Sequence, residues 1–135
     1  MASGLYAKGR EGFLDADIDW SVDDIRALLV DTALYTVDLA LHDFLDDIAA
    51  GARVGTAVAL AAKTSTAGVA DAGDTTFTAV TGATVEALVM YKHTGVDATS
   101  RLVAYIDTAT GLPVTPSGGD IIVRWDNGAN RIFKL

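Results

Sequence analysis

Sixteen aspartates stand against two glutamates in this chain, and that ratio narrows the choice of fold more than any single motif does. The short Asp carboxylate bonds neighbouring backbone N–H groups, so it favours turns and caps. Glutamate is a good helix former. A chain that takes nearly all its negative charge from Asp, with 15 Thr and 13 Gly beside it, reads as strands joined by turns. Its 23 alanines pull toward helix, but much of that alanine alternates with polar residues.

The length of 135 residues fits one domain. With no cysteine, disulfide frameworks, zinc fingers, iron–sulfur sites and thiol catalysis are excluded. A net charge of −8 argues against a nucleic-acid groove, which needs Lys and Arg to displace counterions. Charged residues at 21% leave enough apolar sequence to expect an ordered fold. Residues 1–14 hold no continuous apolar core of a signal peptide. The most apolar window, Val54–Ala62, is far shorter than the ~20 residues that span a bilayer. The expectation is a soluble protein made in the cytosol, without a membrane partner.

Residues 1–12 are small, polar and Gly-rich, and read as an N-terminal arm or an edge strand. From Phe13 to Trp20 the alternation puts Asp15, Asp17 and Asp19 on one face, with Leu14, Ala16, Ile18 and Trp20 on the other. That is the period of a half-buried strand. Ser21–Asp24 is a turn and Ile25–Val30 a second strand. Leu41, Phe44, Leu45 and Ile48 have helical spacing, so Thr36–Ala50 is expected as the one short helix, stopped by Gly51. Further strands are expected over 56–64, 67–72, 77–80, 84–92, 101–107, 120–125 and 131–135. The last two frame Asp126-Asn127-Gly128, the strongest short-range hairpin signal in the chain. Gly111–Gly119 contains both prolines and must be a loop. The sum is a mainly β fold: residues 13–135 as a single β-sandwich or jelly-roll-like domain, with one short α-helix and an extended N-terminal arm.

Candidate chemistry is sparse. Asp15, Asp17 and Asp19 resemble the start of a calcium loop, but Trp20 and Arg26 stand where the loop needs Gly and Glu, so a solvated strand face is the better reading. His42 and His93 are the only histidines and lack the spacing of a zinc site. No serine sits in a nucleophile elbow. Glu86 and Asp107 are the acid pair a glycosidase reading would have to use; surface carboxylates at strand ends are the expectation. The loop Gly111–Gly119 lacks the Lys-Ser/Thr of a phosphate loop. No enzyme activity, cofactor or metal is therefore expected.

The apolar side chains are mostly small, so Trp20, Phe44, Phe77, Tyr91, Tyr105, Trp125 and Phe133 must carry much of the packing. A thin core gains stability from association, which makes a homo-oligomer an expectation.

The stretch Ala87–Leu135, with its GLPVTPSGGD loop and WDNG hairpin, resembles the C-terminal half of small structural proteins of tailed double-stranded DNA bacteriophages. Asp17–Trp20, Asp24–Asp31 and His42–Ile48 fit the same pattern, so the resemblance spans nearly the whole chain. It implies a non-enzymatic virion protein of the capsid decoration (cement) type. Such a protein sits on the outer capsid surface as a homotrimer, partners the major capsid protein and is made in the host bacterial cytoplasm. The runner-up is a minor tail or fibre-associated protein contacting the host surface. A negatively charged chain is repelled by the packed DNA inside a capsid, which agrees with outside placement and no nucleic-acid partner. The N-terminal arm, with Leu5, Tyr6, Lys8 and Arg10, is the expected contact with the capsid or a neighbouring subunit, by strand addition to a sheet edge.

Overall fold

The structure is a computed structural model that describes residues 3–109, 111–125 and 131–135. A five-stranded antiparallel sheet forms its centre, built from β1 (Gly4–Leu5), β2 (Ile25–Val30), β3 (Arg53–Ala59), β6 (Ala87–Lys92) and β7 (Leu102–Ile106). The order is β1-β7-β6-β2-β3. Two short antiparallel pairs accompany it: β4 (Val69–Ala70) with β9 (Phe133–Lys134), and β5 (Thr75–Phe77) with β8 (Ile121–Val123). The fold is mainly β and sandwich-like, as the turn-rich composition requires.

Both faces of the central sheet are covered, which explains why its strands read as unbroken apolar runs. On one face Ile25, Ala27, Leu29, Leu88 and Met90 pack against Trp20, Phe77, Val80 and Trp125. The small pairs lie on that side, bringing Ala70, Phe133, Ile121 and Val123 to it. On the other face Leu28, Val30, Val89, Tyr91 and Tyr105 pack against Tyr6, Tyr35, Leu45 and Ile48. A buried Leu, Val or Ile contributes about 1.5–3 kcal/mol, so filling both faces outweighs local propensity along the chain.

Both sheet edges are interrupted. β1 has only two residues. In β3, residues 55–57 oppose the single residue Leu28, between the pairs Leu29–Val54 and Ala27–Val58. Gly55 supplies the left-handed φ of +69° inside that bulge. Short and bulged edges resist pairing with other chains.

Several sequence expectations are corrected here. Residues 4–12 are not an extended arm: Gly4–Leu5 pair with Tyr105 and Ala104, and Ala7–Leu14 form the helix α1. Its inward face is made of Gly9 and Gly12. Helical glycine costs about 1 kcal/mol and leaves no apolar stripe, so no periodicity announces this helix. Gly9 lies flat on β7, where a Cβ would be 2.7 Å from the Leu102 carbonyl oxygen.

Phe13–Trp20 is not a strand. It is the end of α1 followed by a turn, in which the Asp17 and Ile18 N–H groups both donate to the Gly12 carbonyl. Ile18 and Trp20 are buried, but Leu14 is 86% exposed. The alternation is thus real in sequence and helical-terminal in structure.

Thr36–Ala50 holds no α-helix. Two 3-10 turns, Leu45–Asp47 and Ala50–Ala52, carry the segment instead. Asp38 Oδ1 accepts from the Ala40 and Leu41 N–H groups, and Asp47 Oδ2 accepts from the Asp43 N–H. These local bonds compete with helix, as Asp does generally. Arg53 takes the Leu45 and Ile48 carbonyls, and Leu41 is left 74% exposed.

The C-terminal segments also pair differently. β8 and β9 do not join each other; each pairs with an earlier strand. The turn Asp126-Asn127-Gly128 lies outside the described residues.

Candidate functional site

Two concave surfaces flank the outer end of β7. The larger is a groove of about 780 Å³. It brings Ser3–Leu5 together with the C-terminal Val123–Trp125 and Arg131–Lys134, segments at opposite ends of the sequence. Leu88, Ala104 and Ile106 of the central sheet lie beneath. Arg124, Arg131 and Lys134 are the basic lining residues. Arg131 pairs with Asp71 at 3.3 Å and Arg124 reaches Asp74 at 3.9 Å. Trp125 lines the same groove; its Nε1 is buried and has no hydrogen-bond partner among the described residues.

The smaller is a cleft of about 390 Å³ on the other side of β7, lined by Thr32, Tyr35, Glu86, Tyr105, Asp107 and Pro113 among others. Antiparallel pairing of Leu88 with Ile106 puts the start of β6 and the end of β7 at the same end of the sheet. Glu86 precedes β6 and Asp107 follows β7, so the register delivers both carboxylates to one cleft. Glu86 Oε1 accepts from the Thr32 N–H at 2.9 Å and from Thr32 Oγ1 at 3.2 Å. Ser3 Oγ donates to Asp107 Oδ1 at 2.8 Å and accepts from the Asp107 N–H at 2.8 Å. Burial, and then the negative charges of Asp107 and Glu86, raise the Tyr105 phenol above its ordinary value. The two acids singled out from sequence are therefore neighbours in space.

Behind this cleft runs a buried hydrogen-bond chain. The Tyr6 and Tyr35 hydroxyls are 2.9 Å apart, and Tyr35 Oη is 2.8 Å from His42 Nδ1. The Asp38 backbone N–H also points at Nδ1, at 3.2 Å. A backbone N–H can only donate, so Nδ1 is an acceptor and Tyr35 donates to it. Tyr6 in turn donates to Tyr35. Burial pushes the Tyr35 phenol up to about 12, and burial with the Tyr35 bond raises Tyr6 further.

The expected contact residues Leu5, Tyr6, Lys8 and Arg10 are not a free arm. Leu5 belongs to β1 and Tyr6 is fully buried. Lys8 pairs with Glu11 at 3.0 Å, and Arg10 donates to the Leu5 carbonyl. Only Leu5 of the four lines the larger groove. Asp15, Asp17 and Asp19 are all exposed to solvent, as expected, but they lie on a helix end and its following turn and not on a strand face. Asp17 meets Lys92 at 3.8 Å and Arg101 at 3.6 Å, while Asp19 Oδ1 caps the turn by accepting from Ser21 and Val22. His42 is held in the tyrosine chain, and His93 sits edge-on to Tyr91. Asp43, Asp46 and Asp47 bring carboxylate oxygens within 4.8 Å of one another at the surface. No helix among the described residues is long and apolar enough to cross a membrane.

The tyrosine chain and the C-terminal groove had no signal in the sequence, because each joins residues far apart in the chain. The acid pair had a weak one: carboxylates at the facing ends of two consecutive strands. No protein-family model matches the chain, and no curated protein matches it.

Proposed function

We propose that this protein is a non-enzymatic structural component of a tailed-phage virion, bound as a decoration protein on the outer surface of the head. The observation that carries the reading is the larger groove. It is concave, floored by Leu5, Leu88 and Ile106, and edged by three of the chain's ten basic residues in a protein of net charge −8. That combination suits an extended segment of a neighbouring shell subunit bearing apolar and acidic side chains, with the major capsid protein as the partner. Charge complementarity at the rim sets orientation and encounter rate. Net negative charge keeps the protein away from packaged DNA and favours the outer face. The interrupted sheet edges fit the same picture, since they leave grooves and loops as the contact surfaces in place of strand addition. Self-association as a trimer would add buried area to a core of mostly small side chains.

The test is addition of the purified protein to heads lacking it, followed by sedimentation and quantitative gel analysis. Saturation at on the order of hundreds of copies per head is expected, as repeated symmetric sites require. The double variant Arg124→Glu/Lys134→Glu should fold normally and bind at least tenfold more weakly. A protein found in virions at only three to a dozen copies, or one that binds heads unchanged after both reversals, overturns this reading and points to the tail.

A further inference from the structure

We infer that the larger groove reads an acidic, apolar peptide segment through the indole N–H of Trp125. An apolar side chain of the segment enters the groove. A backbone carbonyl beside it accepts from Trp125 Nε1, and an Asp or Glu side chain pairs with Arg124 and Lys134 at the mouth. This specificity rests on the reading of the groove as the docking surface, and adds the chemistry of what docks.

The two buried indoles of the chain make the contrast. Trp20 Nε1 donates to the Thr64 carbonyl at 2.9 Å. Trp125 is 8% exposed and lines the groove, yet its Nε1 is closed off from solvent and has no hydrogen-bond partner among the described residues. An indole N–H only donates, so what it lacks is an acceptor. A buried donor left unpaired is unfavourable, and a bound group that supplies the acceptor recovers that loss. Thr75 Oγ1 and Arg101 Nε also lack a hydrogen bond, but neither residue lines the groove.

The sequence around Trp125 places charge beside that donor. Val123 and Trp125 both pack into the core, while the Arg124 side chain between them is 74% exposed. Three successive residues thus supply an apolar wall, a buried donor and a cation at the mouth. From β9, Phe133 adds apolar surface, and the exposed Lys134 makes no ion pair among the described residues.

These demands select the occupant. A hydrocarbon chain fills the space against Leu5, Leu88 and Ile106 but leaves the indole N–H unpaired. A small carboxylate has one acceptor group, while the buried indole and the exposed cations are separate demands. An extended polypeptide carries a carbonyl at every residue and side chains that alternate in direction, so one segment meets both.

The experiment titrates the full chain, labelled with nitrogen-15, with the capped peptide acetyl-Leu-Glu-Leu-amide. The readout is the two indole N–H resonances, told apart with Trp20→Phe. The Trp125 resonance should move in a saturable way, and the Trp20 resonance, already bonded to Thr64, should stay. Acetyl-Leu-Gln-Leu-amide should bind several-fold more weakly, and added salt should weaken the Glu peptide. Trp125→Phe keeps a ring and loses the donor, and should bind the Glu peptide several-fold more weakly. If that variant does not fold, the wild-type indole shift decides alone. A bound peptide that leaves the Trp125 resonance unmoved overturns the inference. So do equal binding of the Glu and Gln peptides, decanoate binding with no binding of the peptide, and no saturable shift at all. The docking reading fails separately: a protein that shows the Trp125 shift but does not bind heads keeps this specificity and loses the capsid role.

Discussion

Tyr6 and Tyr35 meet hydroxyl to hydroxyl at 2.9 Å in the interior, 29 residues apart in sequence. The bond has a direction, because the Asp38 N–H fixes His42 Nδ1 as an acceptor. Tyr6 donates to Tyr35, and Tyr35 donates to His42. This chain ties the N-terminal segment to the 35–42 loop across one face of the sheet.

That direction makes the two tyrosines unequal. Removing the Tyr6 hydroxyl leaves Tyr35 bonded to His42, and Tyr6→Phe should cost about 0.5–1.5 kcal/mol. Removing the Tyr35 hydroxyl strands the fully buried Tyr6 hydroxyl and removes one donor from His42, so Tyr35→Phe should cost about 1–3 kcal/mol. Urea unfolding of both single variants and the double variant measures the difference and the coupling. Equal costs would contradict the assigned direction.

Stability should fall at high pH with a defined window. Both phenols are raised in the folded state, Tyr35 up to about 12 and Tyr6 in the same direction, whereas an unfolded tyrosine titrates near ~10. A group whose folded value is raised contributes stability that is fully present below the unfolded value and is lost as pH rises through the folded one. Stability should therefore hold up to about pH 10 and decline toward about pH 12. Phenolate absorbance and circular dichroism followed together check this; phenolate formation by Tyr6 or Tyr35 well below pH 10 would refute it. In Tyr35→Phe the decline should be shallower.

Gly9 is the position where helix α1 can approach β7. A methyl there meets the Leu102 carbonyl oxygen at 2.7 Å and the Val103 carbonyl oxygen at 2.9 Å, both backbone atoms that cannot swing aside. Gly9→Ala should destabilise by about 1–3 kcal/mol despite the better helix propensity of alanine. A gain in melting temperature would show that propensity outweighs the contact.

Arg53 holds the turn-rich segment before β3 by donating to the Leu45 and Ile48 carbonyls and pairing with Asp97 at 3.0 Å. Its guanidinium serves two carbonyls and a carboxylate at once, which an ammonium cannot reproduce. Arg53→Lys should cost about 1–2 kcal/mol, with hydrogen exchange rising selectively over residues 45–52. Asp97→Asn, which touches only the exposed ion pair, should cost no more than about 0.5 kcal/mol. Similar costs for the two would place the energy in the ion pair and not in the carbonyl contacts.

The strands of the central sheet were legible in sequence where burial is two-sided. Ile25–Val30 matches its expected bounds, and β6 and β7 lie inside their expected ranges. Gly111–Gly119 is free of strands, as its prolines require; Val114 bridges to Val85, and Gly118 and Gly119 exchange backbone hydrogen bonds with Val80. Strict alternation of faces along β7 breaks at its start. Met90 pairs with Ala104 and Tyr91 with Leu102, so Val103 is an extra residue and Leu102 turns to the opposite side. A bulge is a property of the pairing, and no residue of β7 alone encodes it.

The sequence by itself determined a cysteine-free, turn-rich β domain, because Asp, Gly and Thr dictate local backbone preferences that hold in any context. It also determined the apolar runs that become the central strands. Tertiary structure decided the rest. Helix α1 packs as it does because Gly9 fits against the β7 carbonyls and Gly12 against Ile18, and Thr36–Ala50 is not helical because Asp38 and Asp47 bond locally while Arg53 claims its carbonyls. The same holds for the cleft: Glu86 and Asp107 become neighbours only through the register of β6 on β7. Contacts between residues far apart in the chain depend on the packing of both partners, and no local pattern carries that information.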